Sequence, residues 1–293
     1  MDTHDTHHHH GNRVEDFRLI TGAGKYTADW NAAGQLYGFF LRADRAHAEI
    51  VALNAAPALA HAGVRHVFTG ADAVAAGYVK APHSLTIPGR NGIKARATPR
   101  PVLAHGKVRF VGEAIALVVA DSAAAAQDAA ELIEVEYRDL QSVTQPEAAL
   151  EPGAPQLHDD APGNLVFEAE AGNAAEVEAS FAKAAHITRL KVESTRVSPS
   201  PMEPRACLVA YDAASGVYNF NVVMQGVTTL RKQISSYANV PEEKLIFDAR
   251  DVGGGFGQRT VAYPEYCALM IAAKASGKPV KWEIGRASCR ERV

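Results

Sequence analysis

Nine residues constrain this chain more than any others. Positions 251–259 read DVGGGFGQR, with glycine at 253, 254, 255 and 257. A strand is predicted just before them (KLIFDA, 244–249) and an apolar helix just after (261–275). Four glycines in five positions remove Cβ atoms where a backbone must turn sharply or approach a ligand closely. Amides that follow such a turn at a helix N-terminus are donors with partial positive charge, suited to a phosphate or another anion. Two familiar loops are excluded. A Walker loop requires Gly-Lys followed by Ser or Thr, which Gln258-Arg259 does not supply. The dinucleotide fingerprint, started at Gly253, finds Gly255 third but Gln258 sixth. Phe256 is foreign to both, and would cover a flat ligand or wedge the loop against the core. A tight turn packed in the interior is the competing reading.

The rest of the chain is compatible with a soluble globular protein of about two domains of ~100–200 residues each. It has 293 residues, 47% hydrophobic and 22% charged, with a formal net charge of -3. That excludes a disordered chain and gives no basic surface for nucleic acid. No run of about 18 apolar residues predicts a membrane span. Cys207, Cys267 and Cys289 are too scattered for a disulfide framework or a zinc cluster. They fit a reducing compartment, and a cytoplasmic location is expected. Residues 1–11, MDTHDTHHHHG, lack the apolar core of a secretory signal. His7 to His10 invite a metal reading, but a disordered polar leader outside the fold is expected. At the other end, 278–282 (KPVKW) reads as the start of a buried strand, and EIGRASCRERV has no period. That stretch resembles translated sequencing-adapter DNA, so residues 284–293 are expected to be a non-native tail on a truncated chain.

Strands are predicted at 35–42 and 64–68, with a short helix opened by Thr69-Gly70 and Asp72. Segment 85–106 reads as a Pro/Gly-rich basic loop. Residues 107–119 read as two strands around Val111-Gly112, followed by a Ser122-capped helix through Leu132 and a strand at 132–137. Residues 146–164 carry a linker composition; His158, Asp159 and Asp160 within it read as a solvated loop rather than a metal site. A helix is expected over 172–185, with Val177 and Phe181 four apart, and a strand over 186–193, where His186, Thr188, Leu190 and Val192 alternate. Segments 206–212 and 217–224 read as a hairpin turning at Ser215-Gly216, and 227–238 as a helix.

Four stretches, in order, resemble one family. VGGGFGQR at 252–259, with Tyr263-Pro264 beyond it, is similar to the pterin-binding loop of the molybdenum hydroxylases: the large subunits of xanthine dehydrogenase, aldehyde oxidoreductase and aerobic carbon monoxide dehydrogenase. RVEDFRLITGAGKYTAD (13–29) resembles the family's opening, and VGEAIALVVADSAAAAQDAAELIEVEY (111–137) the end of its hammerhead domain. PMEPRACLVAYD (201–212) resembles the segment entering its first molybdopterin-binding domain. The fold this implies is α+β. An α/β-hammerhead domain spans 12–145, a linker 146–164, and the first part of a mixed α/β molybdopterin-binding domain 165–283.

The resemblance also implies roles. Gly253, Gly254, Gly255, Phe256, Gly257 and Gln258 match the loop that holds the molybdopterin. Gln225 matches the active-site glutamine, whose NH₂ would donate to a molybdenum oxo group; Met224 stands where many relatives have Thr or Ser. Thr260 occupies the position where purine-oxidising members carry a glutamate, and Glu265 reads as an ordinary helix residue. Glu203 and Arg205 read as an ion-pair or turn-stabilising set, Cys207 and Cys267 as buried inert thiols. No metal-ligating side chain is assigned. The family's general-base glutamate lies near its far C-terminus, beyond the matched residues, so the fragment itself is expected to be inactive. The implied reaction is oxidative hydroxylation of an aldehyde, an N-heterocycle or carbon monoxide, with water as the oxygen source. It needs molybdenum–molybdopterin, in the cytosine dinucleotide form, and passes electrons to 2Fe-2S clusters and FAD on partner subunits of a hetero-oligomer. The reading from a different class is a non-catalytic phosphate- or nucleotide-binding module built on the glycine loop.

Overall fold

The computed structural model describes residues 13–78, 89–92, 94–96, 98, 100–195 and 197–285. The expectations for residues 1–11, for Cys289 and for part of the 85–106 loop lie outside these. In chain order the elements are helix α1 (Asp16–Ile20), strands β1 (Leu36–Arg42) and β2 (Ala48–Asn54), α2 (Ala56–Ala60), β3 (Val64–Thr69), α3 (Gly70–Ala75), β4 (Lys107–Val108) and β5 (Ala114–Ala120). They continue with α4 (Ala123–Ala130), β6 (Glu134–Asp139), α5 (Pro146–Ala149), α6 (Ala174–Lys183), β7 (Ala206–Asp212) and β8 (Val217–Val222). The last are α7 (Val227–Ala238), β9 (Leu245–Asp248), α8 (Pro264–Ser276) and β10 (Val280–Glu283).

Seven strands form one mixed sheet in the order β3-β5-β1-β10-β7-β8-β9, and β4-β2-β6 form a smaller antiparallel sheet. β5, AIALVVA, is buried along its whole length because both faces are covered. Leu117 and Val119 join the cluster that includes α8, whereas Ala116, Val118 and Ala120 pack with Ala126, Ala129 and Ala130 of α4. Small residues on α4 let it lie close to the sheet. Its N-terminus is capped as expected, with Ser122 Oγ accepting from the Ala125 amide at 3.1 Å. α8 has Glu265 to Ala273 all buried, so it is an internal helix and needs no polar face. It begins at Pro264 rather than 261, because proline lacks an N–H and suits the first helical position.

The principal sheet draws strands from both sides of residues 146–164. β1 pairs in parallel with β10, Leu36 opposite Val280 and Tyr37 opposite Lys281. Behind this joint the Phe40 and Trp282 rings meet edge to face at 5.3 Å. The 146–164 stretch is held down: Arg109 Nε donates to the Leu157 carbonyl at 2.8 Å, and the Asn164 side chain bonds Leu157 N, Ala149 O and Pro155 O.

Several elements differ from expectation: the short helices α1, α2 and α5 form where none is predicted, and two strands also depart. β2 was not foreseen, since Ile50 and Val51 break the alternation at a register shift between Ile50 and Ala52. The strand expected over 186–193 does not form. Its residues pair with no strand among the described residues, and Leu190 and Val192 are 82% and 78% exposed. Alternation describes a surface that a strand can bury, and without a neighbouring strand there is no ladder.

Candidate active site

β8 and β9 are neighbouring parallel strands, Tyr218 opposite Leu245 through Asn221 opposite Asp248. The chain therefore leaves both at the same end of the sheet, the end where parallel α/β sheets characteristically bind ligands. β8 delivers Val223, Met224 and Gln225; β9 delivers the glycine run. Val223 and Met224 are buried and fix the exit of the chain, while Gln225 emerges at the surface. The two segments then lock together. The Gln225 amide donates to the Arg259 carbonyl at 3.1 Å, and Gln225 Oε1 accepts from the amides of Gly257 at 3.1 Å and Arg259 at 3.3 Å. With its oxygen so held, Gln225 leaves Nε2 without a partner among the described residues.

The glycines have distinct reasons to be there. A Cβ on Gly255 would sit 2.2 Å from Gln225 Cδ, and one on Gly253 would sit 2.4 Å from Glu203 Cβ. Gly254 has φ +104, which a side chain rarely tolerates. Phe256 adopts φ +49 and presents its ring to solvent, 74% exposed.

The amides fall into two groups. Gly253 N donates to Glu203 Oε2 at 2.7 Å and Gln258 N to the Gly255 carbonyl at 3.0 Å; Gly257 N is taken by Gln225. The amides of Gly254, Gly255 and Phe256 have no acceptor among the described residues. Among the six loop residues 253–258 expected from sequence, three consecutive amides are thus left open within the described residues. The other three hold the loop in shape.

Around the loop lie residues whose parts sequence reading placed less well. Glu203 is buried and grips backbone amides, Thr27 N at 3.0 Å as well as Gly253 N. Asp251 receives Arg18 and, at 2.6 Å, the Lys25 amide. The Arg18 guanidinium and then that amide hold its carboxyl below the usual range. Arg205 lies over the Tyr263 ring, 3.8 Å from its centroid, and the Tyr263 hydroxyl donates to the Gln258 carbonyl at 2.6 Å. Glu265 is not an ordinary helix residue: it is buried in the first turn of α8 and pairs with Arg42 of β1 at 2.8 Å. Its signal in the sequence was a charge on a helix with no polar face. Thr260 Oγ1 donates to the Gly257 carbonyl at 2.8 Å. A cavity of about 190 Å³ adjoins Gln258 and is lined by Arg42, Arg100, Glu113, Arg205 and Glu265. Burial raises the Glu113 carboxyl although the Arg109 amide donates to it. Cys207 and Cys267 are buried, and burial raises both thiols, Cys267 to about 12, which leaves them without thiolate at neutral pH. His158, Asp159 and Asp160 line a second cavity with His105 and Arg109. Among the described residues no group of three His, Cys, Asp or Glu is placed to hold a metal.

A glycine loop follows a parallel strand and faces a glutamine from the adjacent strand. Residues 21–141 match the family described as aldehyde oxidase and xanthine dehydrogenase, a/b hammerhead domain, and residues 157–289 match the molybdopterin cofactor-binding domain. The carbon monoxide dehydrogenase large chain of Afipia carboxidovorans is 35% identical over 282 residues, covering 92% of this chain and 34% of that protein. The nicotine 6-hydroxylase large subunit of Paenarthrobacter nicotinovorans is also 35% identical, over 272 residues, covering 92% of this chain and 32% of that protein. Among solved structures, quinoline 2-oxidoreductase from Pseudomonas putida 86 superposes with a TM-score of 0.82 at 36% identity, covering 94% of this chain and 34% of its own. The chain belongs to the molybdenum hydroxylase large-subunit family, with a hammerhead domain followed by a molybdopterin-binding domain. It spans about a third of the length of these relatives. No helix among the described residues is long and apolar enough to cross a membrane.

Proposed function

We propose that residues 223–259 form one wall of a molybdenum–molybdopterin site in an oxidoreductase that hydroxylates a small electron-poor substrate. The observation that carries this reading is the donor set: three adjacent amides, Gly254 to Phe256, and Gln225 Nε2, all without acceptors among the described residues and all at the end of β8 and β9. A pterin–molybdenum group is rich in oxo, dithiolene and phosphate acceptors and fits such a set. When bound, it supplies oxidation of a carbon centre with water as the source of oxygen.

The chain's own contribution is binding and orientation. The backbone at 254–256 donates to the group. Gln225, its carboxamide oxygen fixed by Gly257 and Arg259, offers its NH₂ in one orientation only. The exposed Phe256 ring covers a flat ligand face. Substrates in the class are an aldehyde, an N-heterocycle or carbon monoxide; one relative named above is a carbon monoxide dehydrogenase and another a nicotine 6-hydroxylase. Thr260 gives a purine no carboxylate to bind. We infer the cytosine dinucleotide form of the cofactor, electron transfer to separate iron–sulfur and flavin subunits, and a cytoplasmic setting, the last in keeping with free thiols at Cys207 and Cys267.

The test is ligand choice. Protein produced with a supply of molybdopterin cytosine dinucleotide should retain pterin and molybdenum in a fixed ratio, and ATP or NAD in tenfold excess should not displace them. Saturable ATP or NAD binding with no pterin retained would replace this reading with a nucleotide-binding module.

A further inference from the structure

Glu203 is buried, yet its carboxylate is spent on two backbone amides from distant parts of the chain. Oε1 accepts from Thr27 N at 3.0 Å and Oε2 from Gly253 N at 2.7 Å. The Glu203 amide donates in turn to the Gly253 carbonyl at 3.2 Å, and Arg259 donates to the Glu203 carbonyl. Gly253 lies so close that a Cβ there would overlap Glu203 Cβ at 2.4 Å. Two residues before Gly253, Asp251 receives Arg18 and the Lys25 amide. Two carboxylates thus tie residues 18–27 to residues 251–253, on the N-terminal side of the three open amides. A carboxyl group offers an acceptor on each oxygen, whereas a carboxamide must turn an NH₂ toward one of the two amides.

We propose that Glu203 is a positioning residue for the cofactor: by clamping Thr27 and Gly253 it uses the N-terminal segment as a buttress that fixes the amides of Gly254, Gly255 and Phe256 before the pterin arrives. This rests on the function proposed above. It also assigns the 13–29 segment a part in the site, although none of its residues is expected to touch the cofactor.

Glu203→Gln keeps size and removes one acceptor; Glu203→Asp keeps both acceptors on a shorter stem. Each is compared with Ser122→Ala, which removes the α4 cap in the part of the sheet away from the loop. Pterin and molybdenum are measured per chain in protein isolated from a host that makes molybdopterin cytosine dinucleotide. Amide hydrogen exchange is followed in the cofactor-free protein. Glu203→Gln should lower cofactor content at least tenfold and speed exchange at 25–29 and 252–259 together, with α8 unchanged. Glu203→Asp should recover more than half of the content, and Ser122→Ala should retain the wild-type level. Wild-type content in Glu203→Gln, or exchange that rises equally in α8, overturns the proposal. If Glu203→Gln fails to fold, the wild-type protein decides: Thr27 and Gly253 amides must be protected while those of 254–256 exchange freely, and uniform exchange across 252–257 overturns the proposal. A wild-type protein that retains no pterin defeats the functional reading instead, and the exchange pattern still reports whether the clamp exists.

Discussion

At Gly255 the proposed site leaves no room for a single methyl group. The Cβ of alanine would fall 2.2 Å from Gln225 Cδ, and the flexible glutamine is what would yield, giving up its bonds to Gly257 and Arg259. Gly255→Ala should therefore leave the thermal midpoint within a few degrees of wild type while cutting cofactor retention about tenfold, the equivalent of ~1.4 kcal/mol. Unchanged retention would mean that Gln225 does not orient anything. Asp251 gives a pH signature. Its folded carboxyl titrates below the ordinary value, chiefly because Arg18 donates to it, so it stabilises the fold above its unfolded pKa of ~3.9 and that contribution is lost as pH falls through the lower, folded value. In urea unfolding, Asp251→Asn should be less stable than wild type by a constant amount from pH 5 to 7, and the gap should close in more acidic solution. A gap that widens on acidification would show that Arg18 does not hold this carboxylate. The glycines were legible in sequence because glycine itself is the signal. Glu203 was legible as a turn-stabilising residue but its partners, Thr27 and Gly253, were not, nor was the Glu265 partner Arg42, because folding alone brings them together.

At the scale of elements, the readable features were those with a local cause. The Ser122 cap, the Thr69–Asp72 box that opens α3, and the β7–β8 hairpin closed by Gly216 all sit within a few residues of the structure they specify. The failure at 186–193 has the opposite origin, because a strand is defined by a neighbour and its own pattern names none. α6 makes the same point. It forms, with Asn173 accepting from the Glu176 amide at 3.2 Å, yet Val177 and Phe181 remain about half exposed. α8 is buried from Glu265 to Ala273. The two helices should answer truncation differently. Leu269→Ala in α8 should cost ~2–5 kcal/mol, the range for a buried leucine in a core that cannot collapse. Phe181→Ser in α6 should cost no more than about 1 kcal/mol, as for partly exposed sites. Equilibrium unfolding of the two variants checks this, and equal losses would mean that α6 is packed against something in solution.

For the whole molecule, the β1–β10 joint decides how the chain behaves as a unit. The composition of 146–164 reads as a boundary between two regions, but parallel pairing of Leu36 with Val280 has no local trace in sequence and could not be anticipated from it. The joint makes the two regions one sheet. β1 hydrogen-bonds to β5 on one edge and β10 on the other, and Phe40 and Trp282 bury each other's rings. Separating the regions would expose a long apolar edge at β1, an aggregation hazard. Cleavage at the exposed Glu151-Pro152-Gly153 corner should therefore leave two pieces that run separately on a denaturing gel but elute together on a native sizing column. Residues 12–145 made alone should bind a hydrophobic dye and aggregate, and adding 165–283 during refolding should suppress both. Two pieces that part on the native column, each monomeric and soluble, would mean that the sheet is not continuous in solution. In that case Glu203, which ties Thr27 to the glycine loop across the same boundary, would have no fixed frame from which to hold that loop.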